Sequence, residues 1–444
     1  MSRKNAIITL ITLALCIALG SGSNPAAWAQ ETVTIEFWSL GPESAIQATI
    51  AAFEAKHPNI KVEYFMPGGH DDFWRRLSVA VASGVGPDVV RSKDYFMTEL
   101  AARGALLQLD PYIERDWAEI DWSADPLFAR RVKTHASYEG KTYGLPFHVW
   151  WSMFHYNKRL LDEAGLGRPP ETWDELRQWA EKLTLDLDGN GRIDQWGTQM
   201  YTYTRSEPVM VNWTFYQFLI QNGQLELFTW EDGIPVYHLN TPEAREALQF
   251  WVDNIYTYGI TTPPELVTQN MNTFIQNERL AMWYTGHFAW GDFERDMPDL
   301  PWEVSVLPGK VNRGTIVEGN NAYIFANTKH PEAAWEFLKF LTSVEADLIW
   351  ANPDVGYATL PWHDRNWALE RYQTIPRYVE SIRQIQEHPA PMMELHIGIN
   401  EVQSKIAEHL QRAFHGRASV EQVLADAQAD ADRMIAEYYG TRRR

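Results

Sequence analysis

Apolar positions recur along this chain with two alternating periods, and together they outline a fold. In Val33-Thr34-Ile35-Glu36-Phe37-Trp38 the apolar residues come every second position, the pattern of a half-buried strand; Ile46, Ile50 and Phe53 then fall at i, i+4 and i+7, one face of a helix. Ile60–Phe65 alternates again, a helix is predicted over about 72–82, and Pro87-Asp88-Val89-Val90 reads as a short buried strand. Strand, helix, strand, helix, strand in that order predicts an α/β domain around a mainly parallel sheet. Later helices are announced by their caps. Thr172-Trp173-Asp174-Glu175 is a capping box, and Thr241-Pro242 sets a cap and a first-turn proline before the apolar face of Ala244, Leu248, Trp251, Val252 and Ile255. Val402, Ile406, Leu410 and Phe414 recur every four residues near the end. No internal repeat is visible, which argues against solenoids and propellers.

The first 29 residues depart from this pattern. Arg3 and Lys4 precede an apolar run from about Ala6 to Gly20, and small residues lead to Ala27-Trp28-Ala29, a cleavage pattern. Residues 1–29 are therefore expected to be an export signal, cut near Gln30. A membrane anchor is the alternative, but it requires about 20 apolar residues and no such cleavage site. Lipid attachment at Cys16 is a second alternative; Leu15 stands where a small residue is expected. Removal of the signal would take away the only Cys, so no disulfide is expected in the exported chain.

The remaining length suits two domains. An apolar fraction of 45% argues against a mostly disordered chain. A net charge of −19 argues against nucleic-acid and anionic-lipid partners, which are recognised by neutralising phosphate with Lys and Arg. The 20 tryptophans are the anomaly of the composition.

One motif stands apart. Asp186-Leu187-Asp188-Gly189-Asn190-Gly191-Arg192-Ile193-Asp194 matches the first nine positions of a calcium loop. Asp186, Asp188 and Asn190 would offer side-chain oxygens, Arg192 its carbonyl, and Asp194 a direct or water-mediated contact. Position twelve is Gly197 rather than the bidentate Glu, which weakens any such site; a plain Asp/Asn/Gly turn is the competing reading. A structural calcium is thus one expectation, and no other cofactor is expected.

Family resemblance enters through motifs in a fixed order: Phe53-Glu54-Ala55-Lys56-His57-Pro58-Asn59-Ile60-Lys61-Val62, Gly86-Pro87-Asp88-Val89-Val90, Gly140-Lys141-Thr142-Tyr143-Gly144-Leu145-Pro146 with Tyr156-Asn157-Lys158, and Ala164-Gly165-Leu166 with Thr172-Trp173-Asp174-Glu175-Leu176. Ala281-Met282 with Gly286, and His330-Pro331-Glu332-Ala333-Ala334-Trp335, complete the set. On these the chain resembles the extracellular solute-binding proteins of ABC importers, in the sugar-binding group that includes maltose-binding protein. The resemblance implies an α/β, two-lobed periplasmic-binding-protein fold with a hinged cleft and three crossings between lobes, near 146–151, 302–308 and 343–350. It implies an N-lobe of 30–147 and 308–345 and a C-lobe of 148–307 and 346–444. It further implies capture of a sugar or oligosaccharide outside the cytoplasm, delivery to a membrane permease, a monomer, and no catalysis.

Sugars give the candidate residues a physical reason, because a ring covers the apolar face of a pyranose while acids, amides and imidazoles bond its hydroxyl rim. In Phe147–Trp151, strand alternation puts His148 and Trp150 on one face, assigned to the cleft, and Phe147, Val149 and Trp151 on the other. By resemblance, Asp94 holds the position of a hydroxyl-binding acid, and Phe288 the stacking position, with Trp290 as a possible substitute ring. Trp38, Glu43 and Asn320 lie in segments that face the cleft. Trp213, Tyr357, Trp362 and Arg365 are candidates by location and residue type. Two rivals are kept: a secreted glycoside hydrolase, whose two carboxylates Glu43 and Asp94 would supply although no nucleophile motif or His-Glu-x-x-His pattern is present, and a binder of a polyol or other non-sugar solute.

Overall fold

Strands β1 (Val33–Ser39) and β2 (Ile60–Phe65) form where the alternating pattern predicts them, and β3 (Val89–Lys93) starts within the short buried strand expected at 87–90 and runs on to Lys93. β1 pairs in parallel with both others, and α1 (Glu43–Lys56) connects β1 to β2 with Ile46, Ile50 and Phe53 buried. The computed structural model describes residues 32–66, 68, 70–120, 122, 125–200, 208–266, 271–355 and 360–440; the expected signal at 1–29, Cys16 and Tyr357 lie outside them. No described helix is long and apolar enough to cross a membrane.

The opening β-α-β pattern builds one half of the molecule, and a long strand carries the chain into the other. β4 (Gly144–Asn157) is buried along its length except at Tyr156, as a strand covered on both faces must be. Its first part, up to Trp151, pairs antiparallel with β8 (Val317–Ile324). Its second part, from Ser152, pairs with β6 (Leu280–Gly286), and its end also pairs with β7 (Trp302–Ser305). β6 is parallel to β5 (Trp196–Gln199), so the strand order is β2-β1-β3-β8-β4-β6-β5 with β7 beside β4. The first crossing thus falls between Trp151 and Ser152, four residues beyond the expected 147/148 boundary, because β8 keeps β4 in the first half through Trp151.

Caps position the helices as read. In α3 (Trp173–Leu183) the Thr172 hydroxyl accepts from the Glu175 N–H at 3.1 Å, while the Glu175 carboxylate reaches back to the Glu171 N–H at 2.8 Å. In α4 (Pro242–Tyr256), Thr241 accepts from the Ala244 N–H at 3.0 Å. Helix α2 (Pro126–His135) flanks β4 in the first half; α8 (Ile399–Phe414) buries Val402, Ile406, Leu410 and Phe414 and packs on α9 (Val420–Gly440) in the second.

The last expected boundary, at 345/346, cuts through a helix and is corrected by packing. α6 (Val344–Trp350), which follows α5 (Pro331–Leu341), stays with the first half: Glu345 pairs with Lys56 of α1, and Trp350 sits edge-on to Phe147. His363 stacks on Phe128 at 4.5 Å. Only further on does α7 (Pro376–Glu387) join the second half, with Arg377 over the Trp302 ring at 4.8 Å. The third crossing therefore lies beyond His363.

Among the described residues eight tryptophans (Trp151, Trp213, Trp251, Trp283, Trp290, Trp335, Trp350 and Trp362) are fully buried. Most of the tryptophan excess is core packing.

Candidate functional site

β3 ends in Lys93, and Asp94 opens a short turn, Asp94–Phe96, at the carboxyl end of the strand, where α/β sheets characteristically present ligand-facing groups. Asp94 is buried and takes an ion pair from Arg131 of α2, Nη2 to Oδ2 at 3.1 Å. Arg131 Nη1 also donates to the His148 carbonyl at 3.3 Å. Gly319 on β8 makes this possible: a Cβ there would stand 1.9 Å from the His148 oxygen and 2.1 Å from Arg131 Nη1. Burial pushes the Asp94 carboxyl up and the Arg131 guanidinium down, and each charge offsets the other's penalty. Beside them, Arg91 donates to His148 Nδ1 at 3.0 Å; with its amide oxygen toward Arg91, Asn320 accepts at 2.7 Å.

The second half contributes rings and amides to the same place. Residues Val211–Tyr216 wind as a π-helix, a form that recurs at functional sites. Its consecutive residues Asn212 and Trp213 both donate to the carboxylate of Glu318, on β8 of the first half. Gln403 of α8 holds the Asn212 amide at 3.1 Å. Phe288 lies between Trp150 and Trp213, its centroid 5.9 and 5.5 Å from theirs. Gly286 allows this convergence, since a Cβ there would lie 2.4 Å from the Phe288 ring and 2.9 Å from Trp213. The Lys93 ammonium rests 4.5 Å from the Trp150 centroid, within cation–π range. Burial pushes Glu318 up to about 6, against the opposing pull of Lys93 and its two donors, and lowers Lys93. The result is a junction with an aromatic wall and five charged groups, Arg91, Lys93, Asp94, Arg131 and Glu318, drawn from far-apart segments.

Of the residues singled out from sequence, Asp94, His148, Trp150, Trp213, Phe288 and Asn320 meet at or border this junction. Trp290 does not: it is fully buried, donates to His155 Nε2 at 2.8 Å and packs on Tyr378, so it is core and cannot replace Phe288. Trp362 packs edge-on to His148 and tilted on Phe147, ring centroids 4.8 Å apart in both cases, so its contacts run to the core face of β4 as well as to the junction. Arg365 bonds Asp125 and lines a cavity of about 490 Å³ between α1, α5 and α6. Among the described residues, Trp38 and Glu43 neither bond nor stack on a member of the junction. Trp38 donates to Glu36 and contacts Phe65, and Glu43 is an exposed residue at the start of α1. The carboxylate pairing of Glu43 with Asp94 that a hydrolase would use therefore has no geometric support.

Sequence reasoning missed Lys93, Arg131, Asn212 and the carboxylate of Glu318. Lys93 had a usable signal, its place at the carboxyl end of a parallel strand. Arg131 and Asn212 sit in helices that give no such sign.

The 186–194 loop lies away from the junction. Carboxylate oxygens of Asp186, Asp188 and Asp194 lie within 4.8 Å of one another. Asp186 accepts backbone N–H groups of Gly189, Asn190 and Gly191 at 2.8, 3.1 and 2.7 Å, which lower its carboxyl, the Gly191 bond most. Asn190 bonds Asp188, and the Arg192 N–H donates to Asn190. Gly197 has no side chain to serve as a twelfth ligand, and none would fit, because a Cβ there would meet the Ala180 carbonyl oxygen at 2.2 Å. The donor set present, hard oxygens on a turn, fits calcium chemistry with a reduced ligand count.

Two α/β halves threaded by a shared strand, with rings and charges of both meeting at the junction, define a two-lobed binding protein of the type that captures solutes between its lobes. The chain belongs to the bacterial extracellular solute-binding protein family, whose model matches residues 38–347. It is 25% identical over 297 residues to a putative binding protein of Brucella abortus, covering 65% of this chain and 66% of that protein. It is 25% identical to the maltotriose-binding protein of Pyrococcus abyssi (64% and 57% covered) and 27% identical to the arabinooligosaccharide-binding protein of Halalkalibacterium halodurans (61% and 58%). The chain spans less than two thirds of the length of these relatives. Two solved structures share the fold: an ABC substrate-binding protein of Listeria monocytogenes in complex with cycloalternan (TM-score 0.79, 22% identity, 91% of this chain and all of that one) and the MalE domain of Bdellovibrio bacteriovorus bound to maltotriose (0.73, 24%, 91% and all).

Proposed function

We propose that this chain captures a sugar or oligosaccharide at the junction of its lobes and delivers it to the permease of an ABC importer, without converting it. The observation that carries this reading is the convergence of Trp150, Phe288 and Trp213 with Lys93, Asp94 and Glu318 from both halves. Rings and buried polar groups are what a molecule with apolar faces and a hydroxyl rim requires, and named relatives bind maltotriose and arabinooligosaccharides. Capture is by closure: a ligand that adds contacts to the second lobe only when the hinge bends shifts the population toward the closed form by its differential affinity. The amino-terminal 29 residues support export, and the chain acts as a monomer outside the cytoplasm.

The direct experiment is calorimetry of the purified chain against neutral oligosaccharides, with chromatography of the incubated sugars. Stoichiometric binding without products supports the reading; turnover would replace it with an enzyme, and binding of a polyol alone would move the cargo class. A separate, structural role belongs to the 186–194 loop, read as a weak calcium site on the convergence of its three carboxylates.

A further inference from the structure

Glu318 and Lys93 face one another at the lobe junction in an arrangement that an ordinary ion pair does not explain. Lys93 pairs with Asn320 and Glu318 with Trp150 in the sheet register, and the Lys93 ammonium lies 4.5 Å from the centroid of that same Trp150 ring. Yet among the described residues the Lys93 ammonium makes neither a hydrogen bond nor an ion pair, only its contact with the Trp150 ring. Among the described residues, its three N–H donors are thus presented at the junction without an acceptor. Glu318, for its part, accepts one N–H from Asn212 and one from Trp213, and a carboxylate has lone pairs for about four.

An ammonium and a carboxylate that interact without touching match one neutral group in particular. A hydroxyl is at once acceptor and donor, so a single hydroxyl oxygen can accept from Lys93 and donate to Glu318. Phosphate or carboxylate cargo would face Glu318 and Asp94, and cationic cargo would face Lys93, Arg91 and Arg131, so a neutral cargo avoids both sets of like charges. Glu318 also sits on β8 of the first lobe while both its donors come from the second. Whatever occupies its remaining lone pairs acts on the group that ties the lobes together.

We propose that Lys93 and Glu318 form a hydroxyl-bridging pair that holds a neutral, hydroxyl-bearing cargo, and that Glu318 couples this contact to lobe closure through Asn212 and Trp213. The assignment rests on the sugar-capture reading above and gives it a specific subsite.

The test has two arms, so that failure of the subsite and failure of the sugar reading can be told apart. In the first, calorimetry of the full chain with maltotriose, arabinotriose and, as an anionic counter-probe, tetragalacturonate is repeated for Lys93→Met, Glu318→Gln and the double variant. For a neutral probe that binds the wild type, each single variant is expected to lose roughly 10- to 100-fold in affinity, and the double variant to lose much less than the product, because both act on one hydroxyl. Unchanged affinity in Lys93→Met, losses that multiply, or preference for tetragalacturonate would overturn the pair. Should Glu318→Gln fail to fold, Lys93→Met decides alone. In the second arm, without sugar, the indole N–H of Trp213, assigned by Trp213→Phe, is followed by NMR in Glu318→Ala. An upfield move with at least tenfold faster exchange supports the cross-junction tie, and an unchanged signal overturns it. If no probe binds the wild type but the indole responds, the sugar reading fails and the tie stands.

Discussion

Replacing Gly319 by alanine tests the packing logic of the junction with one methyl group. Nothing in its backbone demands glycine, since it is an ordinary strand residue paired with Val149. What excludes a side chain is contact: the new Cβ would lie 1.9 Å from the His148 carbonyl oxygen and 2.1 Å from Arg131 Nη1, well inside any tolerable separation. Relief of the first contact strains the β4–β8 ladder at His148, and relief of the second displaces Arg131. Its displacement leaves Asp94 buried without its partner at 3.1 Å. Breaking a buried ion pair from one side costs about 3–5 kcal/mol, so Gly319→Ala is expected to destabilise by about that amount and to weaken cargo binding. Urea unfolding measures the first and calorimetry the second. Asp94→Asn removes the same pair from the other side and is expected to cost a similar amount, and the double variant less than the sum of the two. Wild-type stability in Gly319→Ala, or strict additivity in the double variant, would refute the reasoning.

Two aromatic substitutions separate site from core: Phe288→Ala is expected to reduce sugar affinity roughly tenfold by removing two ring contacts of about 0.5–1.5 kcal/mol each, with little change in unfolding. Trp290→Phe, which leaves His155 Nε2 without its donor, is expected to cost about 1–3 kcal/mol of stability with affinity unchanged. Stability should also depend on pH. Burial raises Glu318 and Asp347 to about 6 from ordinary values of 4.5 and 3.8, contributions fully present below the ordinary value and lost as pH rises through 6, while burial depresses His135, His148, His155, His287 and His396 and so works in the opposite sense; the Glu318 contribution is therefore read as a difference, and the stability lost in Glu318→Gln should be larger at pH 5 than at pH 7.5. Glu175, held at about 2 chiefly by Arg168, contributes stability that is lost below pH 4.5, so stability should fall in stronger acid; a loss in Glu318→Gln that is larger at pH 7.5 than at pH 5 would contradict the Glu318 assignment. Finally, millimolar calcium is expected to raise the melting temperature by a few degrees, and Asp186→Asn to abolish the increase; an equal increase in the variant would remove calcium from the 186–194 loop.

The parts of the fold that were legible in the sequence are those whose signals are local. β1, β2 and α1 alternate or repeat within a few residues, and Thr172 and Thr241 cap their helices by contacts three residues away. The third lobe crossing was not legible, because it depends on contacts such as Arg365 with Asp125, which are 240 residues apart in the chain. Trp290 and Trp213 look alike in sequence, both in aromatic-rich segments. What separates them is partnership, a core histidine for one and a carboxylate of the opposite lobe for the other. Lys93 and Glu318 were missed for a related reason: a charged residue in a strand reads as a solvent-facing position, and only the sheet order shows that these two strand ends meet the other lobe.

That contrast explains why charges persist where packing would be more stable. Elsewhere the chain fills its interior with tryptophan, and replacing buried ion pairs with apolar groups is often neutral or stabilising. An apolar junction would, however, hold the lobes shut whatever they enclosed, since every buried ring would favour closure with or without cargo. A junction built from Lys93, Asp94, Arg131 and Glu318 gains little from closing empty, because burial penalises each charge and, among the described residues, no acceptor bonds the Lys93 ammonium. A micromolar ligand supplies about −8 kcal/mol in all, and only its preference for the closed form can move the lobes. Keeping the unliganded closure weak leaves that modest energy enough to decide the state, so the charges that lower stability at the junction are what make closure depend on cargo.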